Sequence, residues 1–273
     1  RRRDRRALLR LRTAARMKTI PLRRRLLVLG AAAILPLALM SGVALQALVD
    51  QQQRQAEQST LDLARALATA VDTELRLTVS SLQSLALTEP IGSANADLQQ
   101  AHQFARRVLA SRPEWLAIAL AAPDGTQLFN TGREYGAPLS ATIERDSLAE
   151  VVRTRVPVVG KLRRGPMGRF GIPVRVPVLQ DREVRYVLSA IVRPEAILRV
   201  VRQQRIPEDW IVSVFDSRNA RVARSRDHEN HLGEPPAPTL LALMEKSAGS
   251  EAIGHTSTIE GVRVQTAITM GQV

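Results

Sequence analysis

From residue 26 to residue 49 the chain reads LLVLGAAAILPLALMSGVALQALV, 24 positions with no charge and with only Ser41 and Gln46 polar. About 20 apolar residues are enough to cross a bilayer as a helix. The pattern therefore predicts a membrane span here, with Pro36 kinking it. A secretory signal core runs only about 7–15 residues. Ala44 and Ala47 offer small residues, but no extended cleavage region follows, so an uncleaved anchor is expected. No Gly or Pro occurs between Gly42 and Pro90. The helix should leave the membrane unbroken and continue for about 70 Å at helical rise.

Past the membrane the apolar positions keep a 3–4 spacing: Leu61, Ala64, Ala68, Val71, Leu75, then Thr78, Leu82 and Leu85. Such a stripe suits a helix packed on its own domain, and it equally suits the seam of a two-helix dimer. Leu63, Leu67 and Leu77 add a second apolar edge, so both readings stay open. The polar faces fall at 53–58 and Thr60.

Residues 90–99, PIGSANADLQ, break the helix, and a shorter one follows with Phe104, Val108 and Leu109 on one side. The apolar run 116–122, the turn Pro123-Asp124-Gly125 and the segment 126–130 read as a β-hairpin. A helix is expected at 142–154, then β-rich segments at 156–162, 169–179 and 184–192, with a polar turn at 180–183. Pro173 and Pro177 argue that the middle segment is an edge strand or is bulged. Residues 194–204 form a helix with Pro in its first turn. The pattern then repeats. Pro207-Glu208-Asp209-Trp210, IVSVF, the turn 216–219 and ARVARS echo Pro113-Glu114-Trp115, LAIALAA, PDG and TQLFN. A helix at 238–246 and strands at 251–259 and 262–269 follow. The expected fold class is α+β: a transmembrane helix continuing into a long helix, then two tandem antiparallel-sheet units, the second incomplete. The expected boundaries are 1–25 basic tail, 26–49 span, 50–90 long helix, 91–205 first unit and 206–273 second unit. Arg1 is no initiator and Met17 is the more natural start, so a piece of a longer protein is expected.

Charge then changes the picture. The net +13 suggests a nucleic-acid binder until it is divided. Residues 1–25 hold 12 Lys/Arg and one acid, whereas the other 248 residues hold 27 basic and 25 acidic groups. A nucleic-acid surface needs clustered basic residues, and none follows Arg25, so no nucleic acid is expected. The basic head suits anionic lipid headgroups, and a basic flank is kept in the cytoplasm. Residues 50–273 are thus expected outside it, in the periplasm of a bacterial inner membrane. The chain has no Cys, which removes disulfides and thiolate metal sites. His228 and His231 lie three apart beside Asp227, but with no third ligand a solvated loop is preferred to a zinc site. No nucleophile–base pair or phosphate-binding glycine loop is present, so no catalytic residue, metal or cofactor is expected within these residues.

A basic tail, one span, a long outer helix and two stacked α+β units resemble the double Cache sensor architecture, whose units are PAS-like. The segments PEWLAIALAAPDGTQLFN, RFGIPVRVPVLQDREVRYVLSAIV and WIVSVFDSRNARVARS are similar to its strand–turn–strand elements. The resemblance covers about residues 45–273. It implies a small-molecule ligand in the first unit and a cytoplasmic output module, while the stripe at 61–85 is the ground for expecting a homodimer. The leader and the VVGKL…GIPVRVPV pattern look most like bacterial sensor histidine kinases. That implies ATP, Mg and a response regulator for a part outside these residues. A chemoreceptor or diguanylate cyclase output is the alternative, and a membrane-anchored protein-interaction module is the other. Amino-acid-binding members carry a Tyr…Arg-x-Trp-Tyr cluster after the first hairpin. Here GREYGAPLSATIERDSLAEVV lacks the Trp-Tyr pair, so that site is not carried over. The candidate ligand residues are Arg145, Arg175 and Tyr186 with Phe170 as lining, suited to an anion, under a lid at 131–142. The plainer reading makes Arg175 a surface arginine and Tyr186 half-buried core.

Overall fold

A computed structural model describes residues 22–93 and 97–272. Most of the basic tail, with Met17, lies outside the described residues. Helix α1 runs Leu22–Ala86, consistent with the absence of helix breakers after Gly42. The chain divides into two compact units, 1–56 and 57–273. In the first, the described large apolar side chains between Leu26 and Val49 expose 52–73% of their surface. Among the described residues no helix is long and apolar enough to cross a membrane. The side chains of Val28, Leu29, residues 31–33 and Pro36 lie outside the described residues. The expected span and its kink therefore pass to the proposals below.

In the second unit α1 supplies a wall of the core. Leu67, Val71, Leu75, Thr78, Leu82 and Leu85 are buried, Leu82 completely. This corrects the dimer-seam reading at Val71, Leu75 and Leu82, which pack into the chain's own core. The 3–4 spacing is shared by both kinds of packing, so periodicity alone could not separate them. Leu61, Ala64 and Ala68 are half-buried.

The short α2 (Glu89–Gly92) and α3 (Leu98–Ala110) follow. The Asp97 carboxylate caps α3, accepting from Gln99 N at 2.9 Å. Next come β1 (Trp115–Ala121), β2 (Gln127–Asn130), α4 (Arg145–Thr154), β3 (Val158–Val159), β4 (Arg163–Arg164), β5 (Phe170–Gln180) and β6 (Glu183–Val192). Among the described residues these six strands form one antiparallel sheet in the order β2-β1-β6-β5-β3, with β4 also on β5. One face packs Ile118, Leu120, Val174, Val176, Leu188 and Ala190 against α1 and α3. The other face packs Ala121 and Val187 under Leu148 and Val151 of α4.

The prolines were expected to mark an edge strand or a bulge; β5 is paired on both sides, with a register shift beside the second proline. Its outer partners are only two residues long. The Pro173 carbonyl accepts from Gly160 N at 2.7 Å on that outer side. In a strand a residue's N and O point the same way, so the missing N–H of Pro173 faces outward too. Pro177 repeats the geometry four residues on, and the register shifts just beyond it, between Val178 and Leu179.

Helix α5 (Pro194–Gln203) leads to the hairpin β7 (Ser213–Phe215) and β8 (Arg221–Arg224), then α6 (His228–His231), α7 (Pro238–Ser247) and the hairpin β9 (Ala252–Ser257) and β10 (Arg263–Ile268). Among the described residues the two hairpins remain separate two-stranded sheets. The loop expected around His228 is a helical turn, and His228 is buried.

Candidate functional site

Arg175 stands in the middle of β5, directly opposite Ser189 of β6. Strand alternation turns it to the face covered by α4, where 4% of it is exposed. The surface reading of Arg175 is thereby corrected. Each nitrogen of its guanidinium donates a hydrogen bond. Nε donates to Ser147 Oγ at 2.7 Å, Nη1 to Ser189 Oγ at 2.9 Å and Nη2 to the Glu144 carbonyl at 2.8 Å. The Glu144 carboxylate caps α4, accepting from Ser147 N and from the Ser147 hydroxyl. It lies 4.0 Å from Arg175 Nη2. Burial pushes the guanidinium down to about 10, against the attraction of Glu144, so it keeps its proton at neutral pH. Gly160 closes the cluster, because a Cβ there would meet Glu144 Oε2 at 2.6 Å and Ser147 Oγ at 2.7 Å.

The other candidates do not converge on Arg175. Tyr186 pairs with Val178, on the opposite face of the sheet, and packs against the main core. Arg185 lies over its ring at 5.1 Å. Phe170 belongs to the same core face, with Arg164 over its ring. A Cβ on Gly233 would touch Phe170 at 3.0 Å, so this ring is covered by the later part of the chain. Arg145 is exposed in the first turn of α4 and helps hold the Asp124 carboxyl below its usual range, after the larger effect of the Thr126 hydrogen bonds. The expected lid is tied down at several points: His102 Nε2 meets the Arg133 carbonyl at 3.1 Å with its ring near Phe129 and Tyr135, Arg106 pairs with Glu134, and the Thr142 hydroxyl donates to the Gly125 carbonyl at 3.1 Å.

Glu144, Ser147 and Ser189 were not foreseen. The usable signals were an acid at the start of a helix and a serine in register with a buried arginine. The outer side of the same helical turn was also missed. Asp146 accepts from Lys161 at 3.3 Å and from Arg218 in the β7–β8 turn. Asp216 of that turn accepts from Leu162 N at 2.9 Å. The first turn of α4 thus touches the middle of the sheet on one side and the next hairpin on the other. An open groove of about 640 Å³ lies between α1 and the β3 edge, lined by Arg76, Val79, Glu150, Val156 and Val158.

The extracellular domain assigned to the histidine kinase mmHK1S-Z3 aligns with a TM-score of 0.61 at 16% identity, over 77% of this chain and 88% of that one. Methyl-accepting chemotaxis protein X aligns with a TM-score of 0.63 at 9% identity, over 80% and 93%. The ligand-binding domain of the Pseudomonas aeruginosa amino-acid chemoreceptor PctB, solved with L-Arg, aligns with a TM-score of 0.56 at 10% identity, over 76% and 85%. The chain shares the fold of these extracellular and ligand-binding domains. No protein-family model and no curated protein matches the chain by sequence. Within this fold, the cluster around Arg175 gathers buried polar groups on the α4 face of the first sheet. Among the described residues no group of His, Asp and Glu is arranged to hold a metal ion.

Proposed function

We propose that this chain is the membrane-anchored, extracytoplasmic sensory part of a signalling receptor, built as two tandem PAS-like units. The observation that carries the reading is the joining of two things by one helix. An uncharged run at 26–49, whose described large apolar side chains are exposed, leads into a helix whose later residues form a wall of the sensor fold's core. Exposed apolar surface on that scale needs a cover, and a bacterial inner membrane supplies it. Residues 50–273 then lie in the periplasm, with the basic tail on anionic lipid in the cytoplasm.

The ligand is a small molecule, and the α4 face of the first sheet is its site. Arg175 offers a charge that an anionic group can take over from Glu144 and Ser147. Such a ligand acts only by its differential affinity for the free and engaged arrangements of α4. Output belongs to a part beyond these residues. A histidine kinase using ATP and Mg and passing phosphate to a response regulator is the first choice. A chemoreceptor is the second, favoured by the chemotaxis-protein likeness. A homodimer would use the exposed part of α1 and the half-buried Leu61, Ala64 and Ala68.

A thermal-shift screen of the purified chain in detergent against amino acids and small carboxylates tests the ligand reading. At least one compound should raise the melting temperature, and Arg175→Lys should remove that rise. A rise that survives the substitution would take Arg175 out of the site.

A further inference from the structure

We propose that the second region of the molecule carries a proton-sensing site at His228, so that acidification is a second stimulus for the receptor. His228 opens α6 and is 5% exposed. Its Nδ1 accepts a hydrogen bond from the backbone N of Arg224 in β8 at 3.3 Å. That bond fixes the tautomer: Nδ1 holds a lone pair and the proton sits on Nε2. Nε2 is buried with no partner. A second proton can bind only at Nδ1, where it would face the Arg224 N–H, donor against donor. It would also place a charge inside the fold.

The surroundings act in the same direction. Burial lowers the affinity of His228 for a proton, Arg202 of α5 lowers it further, and Glu195 of α5 and Glu229 of α6 oppose them. Asp227 and His231 on the same turn are occupied with each other, and His231 also pairs with Glu234. From β8, the Arg224 guanidinium is engaged with the Arg226 carbonyl and Glu260, and Arg226 bonds to the Glu208 carbonyl. The neutral ring is therefore a feature of the folded state. Its contribution is complete above the unfolded-state value of about 6.5 and is lost as pH falls through the lower folded-state value.

A path leads outward from the ring. Arg224 is 1% exposed and donates through Nη2 to Glu260 at 2.7 Å, in the turn joining β9 and β10. At the start of that hairpin Glu251 accepts from Arg65 of α1 at 2.6 Å. Past its end, Gln272 N donates to Asp72 of α1 at 2.7 Å. The Thr258 hydroxyl, its own backbone N–H and Arg224 hold Glu260 down to about 2. Arg65 likewise keeps Glu251 below the usual carboxylate range. Both links are carboxylates whose proton affinity is lowered further still, so mild acid leaves them charged. Protonation loosens α6 from β8 and frees Arg224, while the links to α1 remain charged and able to transmit the change.

The test is hydrogen exchange on the purified chain in detergent at pH 7.5 and pH 5.0, corrected for intrinsic rates. Amides 221–232 should lose at least about ten-fold protection at pH 5.0, a loss that His228→Asn abolishes and His231→Gln leaves in place. An acid-dependent loss that persists in His228→Asn would overturn the proposal. Should that variant fold poorly, ¹⁵N spectra of the wild-type ring decide. The Nε2–H tautomer at pH 7.5 with a midpoint below 6.5 supports the site. The Nδ1–H tautomer, or a midpoint at or above 6.5, refutes it.

Discussion

The two β-rich regions of the molecule are held together by different physics. In the first, β1 is buried at nearly every position and its core is Ile, Leu, Val and Ala from α1, α3 and the sheet. In the second, α7 has no buried residue, β10 is half-buried at best, and the largest fully buried side chains are Arg221 and Arg224. Arg221 donates to the carbonyls of His231 and Pro235 and lies over Phe215, and Arg224 reaches Arg226 and Glu260. Burial lowers the proton affinity of Arg221, and its neighbour Arg224 lowers it further. Apolar burial is non-directional and indifferent to pH. A few charge-assisted hydrogen bonds are directional and depend on protonation. The first region should therefore be the stable body and the second the responsive one.

The largest effect that separates them is a cavity in the first core. Leu82→Ala should cost about 2–5 kcal/mol in chemical denaturation, whereas Leu241→Ala on the half-buried face of α7 should cost under about 1 kcal/mol. Equal losses would erase the contrast. The buried arginines offer a finer cut. Arg175→Met leaves Glu144 and Ser147 buried without their partner and should cost about 3 kcal/mol or more. Arg224→Met leaves Glu260, half-exposed and able to rehydrate, and should cost about 1–2 kcal/mol. Glycines sharpen the same point. Gly160→Ala drives a methyl into Glu144, Ser147 and Pro173, at about 1–3 kcal/mol. Gly254→Ala meets only the flexible end of Leu243 and should be felt less, by comparison of melting temperatures. The smallest effect is acid titration of the Glu260 link. Its depressed proton affinity stabilises the fold above about pH 4.5, and that contribution fades as pH falls toward 2. Solvent screening keeps it small. Glu260→Gln should flatten the pH dependence in that window, and an unchanged slope would remove the link from the account.

Much of this architecture was legible in the residues. Alternation and turn chemistry located β1, β2, β5, β6 and both later hairpins, because those strands have one face on a core and Asp or Gly at their turns. The end of α1 at Ala86 followed from the first helix breakers after Gly42. Three features were not legible, for identifiable reasons. The stripe at 71–85 reads the same whether it meets its own sheet or a second copy. The prolines of β5 are tolerated because short outer strands leave that side undemanding, a fact of pairing rather than of composition. The polar cluster at Arg175 joins residues 28 and 31 positions away with one on the neighbouring strand, and no local pattern announces such contacts. Tyr186 and Phe170 were grouped with Arg175 by closeness along the hairpin. The alternation of β5 and β6 puts them on the opposite face.

The central claim, a sensor domain held outside the cytoplasm by residues 26–49, is open to one direct measurement. The chain has no Cys, so a single one placed at Asp181, in the exposed turn between β5 and β6, reports only on that site. Intact cells carrying Asp181→Cys, with the outer membrane made permeable, are treated with a membrane-impermeant maleimide. The account predicts labelling before lysis equal to labelling after it. Labelling that appears only after lysis would place the sheet in the cytoplasm and contradict the account.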